Sequence, residues 1–205
     1  MSRISLLVPY RPDGGPRDRL WAFLRGRYQA QLPAWEIVTA PGPDGAFSRT
    51  GALCEAAERA TGDVFAVADA DVWCEGLAAA AARVAAGAAW ADPAETQVVR
   101  MTEAVTEAVL AGGAFSRAGA PRLGQRRVAC GGAFALSRAA FEHCPPDRRF
   151  VGWGWEDHAW EADLRRAFGP ASVGDRAPLW HLWHPPVDRS TAPKANYRLM
   201  MEHIS

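Results

Sequence analysis

The sequence predicts a single α/β domain with a mainly parallel central sheet flanked by helices, because its first 75 residues alternate three times between a short apolar run and a helical pattern. Residues 4–8 are apolar and β-prone, Pro9 stops them, and Gly14, Gly15 and Pro16 form a loop before helical spacing at Leu20, Phe23 and Leu24. Residues 35–39 make the second strand. The breakers Pro41-Gly42-Pro43-Asp44-Gly45 follow, and then Leu53, Ala56, Ala57 and Ala60 recur at helical spacing, with Gly62 expected to cap that helix. The third run, 64–68, is a short buried strand ending in Asp69-Ala70-Asp71.

Beyond residue 75 the pattern is less regular. An Ala-rich helix is expected around 75–87, a second helix over 96–110, and a mobile loop rich in Gly, Ala and Arg over 112–126. A β-prone stretch over 127–136 is interrupted by Gly131-Gly132, and a helix begins near Ser137. Residues 156–168 form another helix, 179–183 a strand and 194–203 a terminal helix. No repeat or low-complexity linker divides the chain, so one domain spans residues 1–205.

Bulk composition narrows the function classes. Acidic and basic residues balance at 23 each, which disfavours bulk binding to a nucleic-acid backbone. Cys54, Cys74, Cys130 and Cys144 lie far apart with no CxxC pair, so neither a zinc knuckle nor a disulfide scaffold is indicated. The N-terminal apolar run is too short for a signal peptide, and the Ala-rich stretch 76–91 contains Arg83 and is too short to span a bilayer. A soluble cytoplasmic protein without a transmembrane segment is expected.

In open α/β sheets the ligand crevice lies at the carboxyl ends of the strands, and here those ends are polar. Val8-Pro9-Tyr10-Arg11 ends the first, Asp44 follows the second, and Asp69-Ala70-Asp71 ends the third. Alternate residues point the same way, so both aspartates can face one crevice and hold a hard divalent cation against phosphate oxygens. An Asp-x-Asp alone is common on surfaces; the apolar run ahead of this one disfavours an exposed turn.

A second cluster is His181-Leu182-Trp183-His184-Pro185. Histidines three apart on an extended strand face opposite ways, so one metal ligand is expected from the pair unless the chain turns between them. Imidazole beside carboxylate suits manganese better than magnesium. The third cluster, Gly152-Trp153-Gly154-Trp155-Glu156-Asp157-His158, combines glycines that let the backbone approach a flat ligand with indole faces on which a sugar can stack. Glu156 and Asp157 open a helix, whose free amides favour ionised carboxylates. Such a carboxylate can take a proton from an attacking hydroxyl. The bland alternative for the segment is a helix cap beside core tryptophans.

Together these pieces resemble the GT-A fold glycosyltransferases, in particular the β-galactosyltransferase group and its bacterial and phage family 2-like relatives. Pro9-Tyr10-Arg11 is similar to that group's Pro-aromatic-Arg, Phe47-Ser48-Arg49 to its Phe-x-Arg, and Gly131-Gly132-Ala133-Phe134-Ala135-Leu136-Ser137 to the segment lining the donor sugar. The resemblance implies a metal-dependent transferase acting with inversion, with a UDP-sugar as the favoured donor and a hydroxyl as acceptor. It implies a nucleotide-binding half at 1–75 and an acceptor-binding half at 76–205. Donor contacts fall on Pro9, Tyr10, Arg11, Asp44, Phe47, Arg49, Asp69, Ala70, Asp71, Gly131 and Gly132. Asp71 with His184, and His181 three residues earlier, would hold Mn²⁺ or Mg²⁺; Asp157 would be the base, with Glu156, Trp153 and Trp155 at the acceptor. Trp155 stands where the group has glycine, Cys54 where an Asn often sits, and His158 in place of a further acidic residue. The residues 116–127 are a candidate lid over the donor.

Two rival classes remain open on sequence. A nucleotidyltransferase shares a similar sheet but has no use for the Trp-Gly-Trp-Glu-Asp cluster and releases pyrophosphate. A non-catalytic carbohydrate-binding protein would keep the tryptophans without turnover. A dinucleotide oxidoreductase is disfavoured because no GxGxxG follows the first strand.

Overall fold

The computed structural model describes residues 2–118, 127–185 and 194–204. Strand β1 (Ile4–Pro9), helix α1 (Pro16–Gln31), strand β2 (Glu36–Ala40), helix α2 (Arg49–Arg59) and strand β3 (Val64–Ala68) follow the order that the apolar runs and breakers predict. β1 lies between β2 and β3, parallel to both. Its side chains alternate: Leu6 and Val8 pack with Leu20, Trp21, Leu24 and Tyr28 of α1, whereas Leu7 joins Leu53, Ala56 and Ala57 of α2 on the opposite face. β3 repeats this, with Ala66 and Ala68 on the first face and Phe65 and Val67 on the second. Helices cover both faces, which is why residues 64–68 carry no polar side chain.

Local chemistry sets the helix ends. Pro16 occupies the first turn of α1, where a missing N–H costs nothing, and the Ser48 side chain caps α2 by accepting from the Gly51 amide. Gly62 does not cap α2. Ala60 ends that helix in an extended conformation, and a Cβ at position 62 would lie 2.5 Å from Ser5 Oγ, so the glycine serves a close approach to β1 instead.

The second half contains β4 (Val72–Cys74), α3 (Leu77–Ala85), β5 (Trp90–Arg100), α4 (Glu103–Leu110), β6 (Ala133–Ser137), α5 (Arg138–His143), α6 (Glu156–Phe168), β7 (Ser172–His181) and α7 (Lys194–Ile204). The sheet order is β2-β1-β3-β6-β5-β7-β4. β6 is antiparallel to β3 and β5, β7 is parallel to β5, and β4 is antiparallel to β7 at the edge. Thus β1, β2, β3, β5 and β7 run one way and β6 and β4 the other, a mainly parallel sheet as expected.

Three local expectations change. Residues 96–100 are strand rather than helix: β-branched Val98 and Val99 pair with Leu179 and Trp180, and helix begins only after Thr102, whose hydroxyl caps α4. β7 starts at Ser172, ahead of the predicted 179, and β4 has no counterpart in the sequence reading. Most of the expected lid lies outside the described residues. Among the described residues no helix is long and apolar enough to cross a membrane.

Candidate active site

The β4–β7 pairing builds the first part of the site. Val72 is in register with His181, Trp73 with Trp180 and Cys74 with Leu179, and the Leu182 amide donates to the Asp71 carbonyl at 2.9 Å. The end of β3 is thereby fastened to the end of β7. β7 stops at His181, and both imidazoles reach one carboxylate. His181 Nε2 lies 3.9 Å from Asp71 Oδ1 and His184 Nε2 3.2 Å from Asp71 Oδ2. The expectation of a single histidine ligand assumed a continuing strand; beyond the end of β7 both histidines instead approach Asp71. Ligand atoms of Asp71, His181 and His184 all lie within 4.8 Å of one another.

The donor set fits a divalent ion. The His184 ring faces the Pro185 carbonyl through Nδ1 at 2.8 Å and Arg17 Nη2 through Nε2 at 3.4 Å. A carbonyl can only accept, so Nδ1 carries a proton, while Nε2 faces both the guanidinium and the Asp71 carboxylate. Arg17 Nε also lies 3.2 Å from Asp71 Oδ2. A positive group thus already bridges two of the three ligands. Burial alone would raise the Asp71 carboxyl, but His181, His184 and Arg17 outweigh it and hold the group well below the usual carboxylate range. Burial lowers the His181 imidazole, and the Asp71 charge pulls the other way.

A second centre surrounds Arg49 at the start of α2. Its Nε donates to Asp69 Oδ1 at 2.7 Å and its Nη2 to the Cys130 carbonyl at 3.3 Å. Burial raises Asp69 more than Arg49 lowers it. Glu156 and Asp157 begin α6 within reach of the same positive charge, and they separate: burial, then the Asp157 charge, raise Glu156 to about 7, whereas Asp157 is depressed. For Asp157 burial acts upward but is outweighed by hydrogen bonding from His158, whose Nδ1 and backbone amide lie 3.1 and 3.0 Å from Oδ1, and by Arg49. Asp157 is therefore the ionised member of the pair. Among the described residues neither Arg49 Nη1 nor Glu156 Oε2 has a hydrogen-bond partner.

Both centres open into one cleft of about 850 Å³. Pro9, Tyr10, Arg11, Phe47, Arg49, Asp69, Ala70, Asp71, Gly131, Gly132, Trp153, Trp155, Glu156, Asp157 and His181 line it, so sequence positions spread over most of the chain converge. Gly131 is required there, since a Cβ would stand 3.1 Å from Asp157 Oδ2. Gly132 has φ +84° and backs onto Leu179. Two predicted positions do not line the cleft: Asp44 is exposed on the loop after β2, and His184 meets the site through its contact with Asp71. Arg11 lines it but gives its donors to the carbonyls of Pro41, Pro43 and Gly45, bracing that loop from the end of β1. The Tyr10 hydroxyl donates to Asp18 at 2.7 Å and is pushed up to about 12, chiefly by burial.

Several contributors escaped the sequence reading. Arg17 sits one helical position inside α1 with nothing local to mark it. Arg127 forms a buried pair with Asp92 (2.7 Å) and donates to the carbonyls of Ala129, Gly131 and Ala133, clamping the loop that carries Gly131 and Gly132. Ser48, besides capping α2, donates to the Phe150 carbonyl at 2.7 Å, and the Gly152 amide donates to the Phe47 carbonyl at 2.9 Å. These bonds tie the segment before Trp153 to the Arg49 helix. Only the Ser-x-x capping pattern at Ser48 could have signalled any of them.

No protein-family profile and no curated protein matches this sequence. Its fold does match solved structures. The structure of Drosophila β1,4-galactosyltransferase 7 in complex with manganese, UDP-Gal and xylobiose superposes with a TM-score of 0.59 at 13% identity, covering 94% of this chain and 74% of that one. The catalytic domain of the same Drosophila enzyme with xylobiose gives 0.54 at 13% identity over 90% and 72% of the chains, and a mycobacterial protein gives 0.51 at 12% over 99% and 73%. The chain has the GT-A fold of the glycosyltransferases.

Proposed function

We propose that this protein is a metal-dependent glycosyltransferase that moves a sugar from a UDP-sugar to an acceptor hydroxyl in a single displacement with inversion. The observation that carries the reading is an Asp-His-His donor set, of which Asp71 and His181 line the cleft, facing the same cleft as an aspartate backed by histidine. The manganese, UDP-Gal and xylobiose bound by the Drosophila enzyme of like fold support the choice of ion, donor class and saccharide acceptor.

Asp71, His181 and His184 would hold Mn²⁺ in preference to Mg²⁺, given two imidazole nitrogens in the set. The bound ion supplies positive charge to the diphosphate as it leaves. Arg17 adds a second positive charge at the same place, and Phe47 and the Tyr10 ring wall the nucleotide side of the cleft. Arg49 holds Asp69 in place and keeps one donor for the sugar. At the other end Asp157 accepts the acceptor proton; its depressed affinity for protons keeps it ionised and ready, while His158 orients it. Neutral Glu156 can donate a hydrogen bond to the acceptor, and Trp153 offers it a face.

The direct test is incubation with UDP-sugars and saccharide acceptors, with UDP release and product anomeric configuration read by NMR. Release that depends on Mn²⁺, with an inverted product, is expected. Transfer unaffected by EDTA, or a product of retained configuration, contradicts the reading, and pyrophosphate release would identify a nucleotidyltransferase.

A further inference from the structure

Among the described residues, Trp155 is the non-glycine with positive φ, at 75°. Tryptophan is doubly ill-suited to this position. Left-handed backbone crowds its Cβ against the following carbonyl. As the N-cap of α6 it offers no side-chain acceptor to the helix's free amides, where Asn or Ser would. Core packing does not compensate, because the side chain is not in the core. Trp155 is 37% exposed and lines the cleft beside Trp153, itself 43% exposed.

The surrounding structure holds the indole there. Tyr197 of α7 meets it edge-on with ring centres 5.2 Å apart, and His158 lies at 5.4 Å. Asn196, buried beside Tyr197, donates to the carbonyls of Val151 (3.0 Å) and Gly154 (3.2 Å), fixing the loop that carries both tryptophans. Strain kept in a well-supported, solvent-facing aromatic belongs to a ligand wall. Asp157 follows two residues later against Gly131, and at this end of the cleft the Arg49 guanidinium sits among Asp69, Asp157 and the raised Glu156, so the charges largely offset one another and an uncharged ligand suits the wall.

We infer that Trp155 is a specificity-determining residue that stacks against a second, uncharged ring of the acceptor, a sugar or an aryl group joined to the sugar whose hydroxyl meets Asp157. The inference rests on the transferase reading given above and adds to it the acceptor class: a two-ring glycoside rather than a monosaccharide. A flat apolar ring face is the shared chemistry of the two sources.

The test is calorimetric binding to the full chain loaded with Mn²⁺ and UDP. Methyl β-glycosides of glucose, galactose, xylose and N-acetylglucosamine are compared with the p-nitrophenyl β-glycosides and β-linked disaccharides of the same sugars. Wild type is expected to bind two-ring compounds of at least one sugar about tenfold more tightly than the methyl glycoside. Trp155→Gly and Trp155→Ala should lose that preference and bind UDP as before. Trp155→Gly should also melt about 2–4 °C above Trp155→Ala, because alanine keeps the backbone strain without the ring. A preference for disaccharides alone makes the second ring a sugar, and for aryl glycosides alone an aglycone; either supports the inference. No two-ring preference in wild type, or one that survives in both variants, overturns it while leaving UDP binding intact. Failure of wild type to bind UDP with Mn²⁺ would overturn the transferase reading and this inference together.

Discussion

Two edges of the same sheet are assembled by different means. At one edge, β1, β2 and β3 are joined in turn by α1 and α2, two helices that the sequence marks, and the pairings join neighbouring units of the chain. At the other, residues 72–74 pair with 179–181, and a three-residue strand brings Asp71 to the two histidines. The first edge is a scaffold whose information is local. The second holds the chemistry, and its information lies in long-range pairing. Changes at the β4–β7 end should therefore cost activity with little loss of fold, whereas changes to the Arg127 clamp on the loop before β6 should cost stability.

The largest effect is expected for Asp71→Ala, which removes the ligand common to both histidines. UDP release with Mn²⁺ should fall about 10³–10⁴-fold, or roughly 4–5.5 kcal/mol of transition-state stabilisation, with an unchanged circular dichroism spectrum. Asp157→Asn, on α6, should slow transfer about 10²–10³-fold while calorimetry finds UDP affinity unaltered. Near-normal turnover would remove Asp157 from the role of base. Arg127→Met leaves Asp92 buried without its partner and releases the Gly131-Gly132 loop, so urea denaturation should show a loss of about 3 kcal/mol. A stability within 0.5 kcal/mol or so of wild type would show that the pair is not what holds that loop to β5.

The smallest effect concerns pH. Burial and the Asp157 charge raise Glu156 from 4.5 to about 7, so its neutral form is the one that the fold favours. Its contribution is complete below the ordinary carboxylate value and is lost as pH rises through about 7. Wild type should lose on the order of 1–2 kcal/mol on this account between about pH 5 and 8, and Glu156→Gln should flatten that part of the curve. Parallel curves for the two proteins would contradict it.

Legibility in the sequence followed the same division. Residues 64–68, the Asp-x-Asp after them and helix 156–168 were readable because each is a local pattern: an unbroken apolar run, a strand end, a helical period opened by two acidic residues. Val72-Trp73-Cys74 is β-prone, but three residues carry no periodicity, and without β4 the His181–His184 pair looked like opposite faces of one strand. Val98 and Val99 were absorbed into a helical pattern that tertiary pairing with β7 overrides. Arg17, Arg127 and Asp92 act through partners distant in sequence, and no spacing rule points to them. Asp44 shows the converse: a polar residue after a strand end suggested a ligand contact, but the loop carries it out to solvent.

Anomalous diffraction at the manganese edge, from crystals of the full chain grown with Mn²⁺ and UDP, reaches the decisive feature without depending on the acceptor. A single strong peak touching both the Asp71 carboxylate and the His184 imidazole, absent from Asp71→Ala crystals, is the predicted result. A peak elsewhere in the cleft, or none while UDP is bound, would contradict the account.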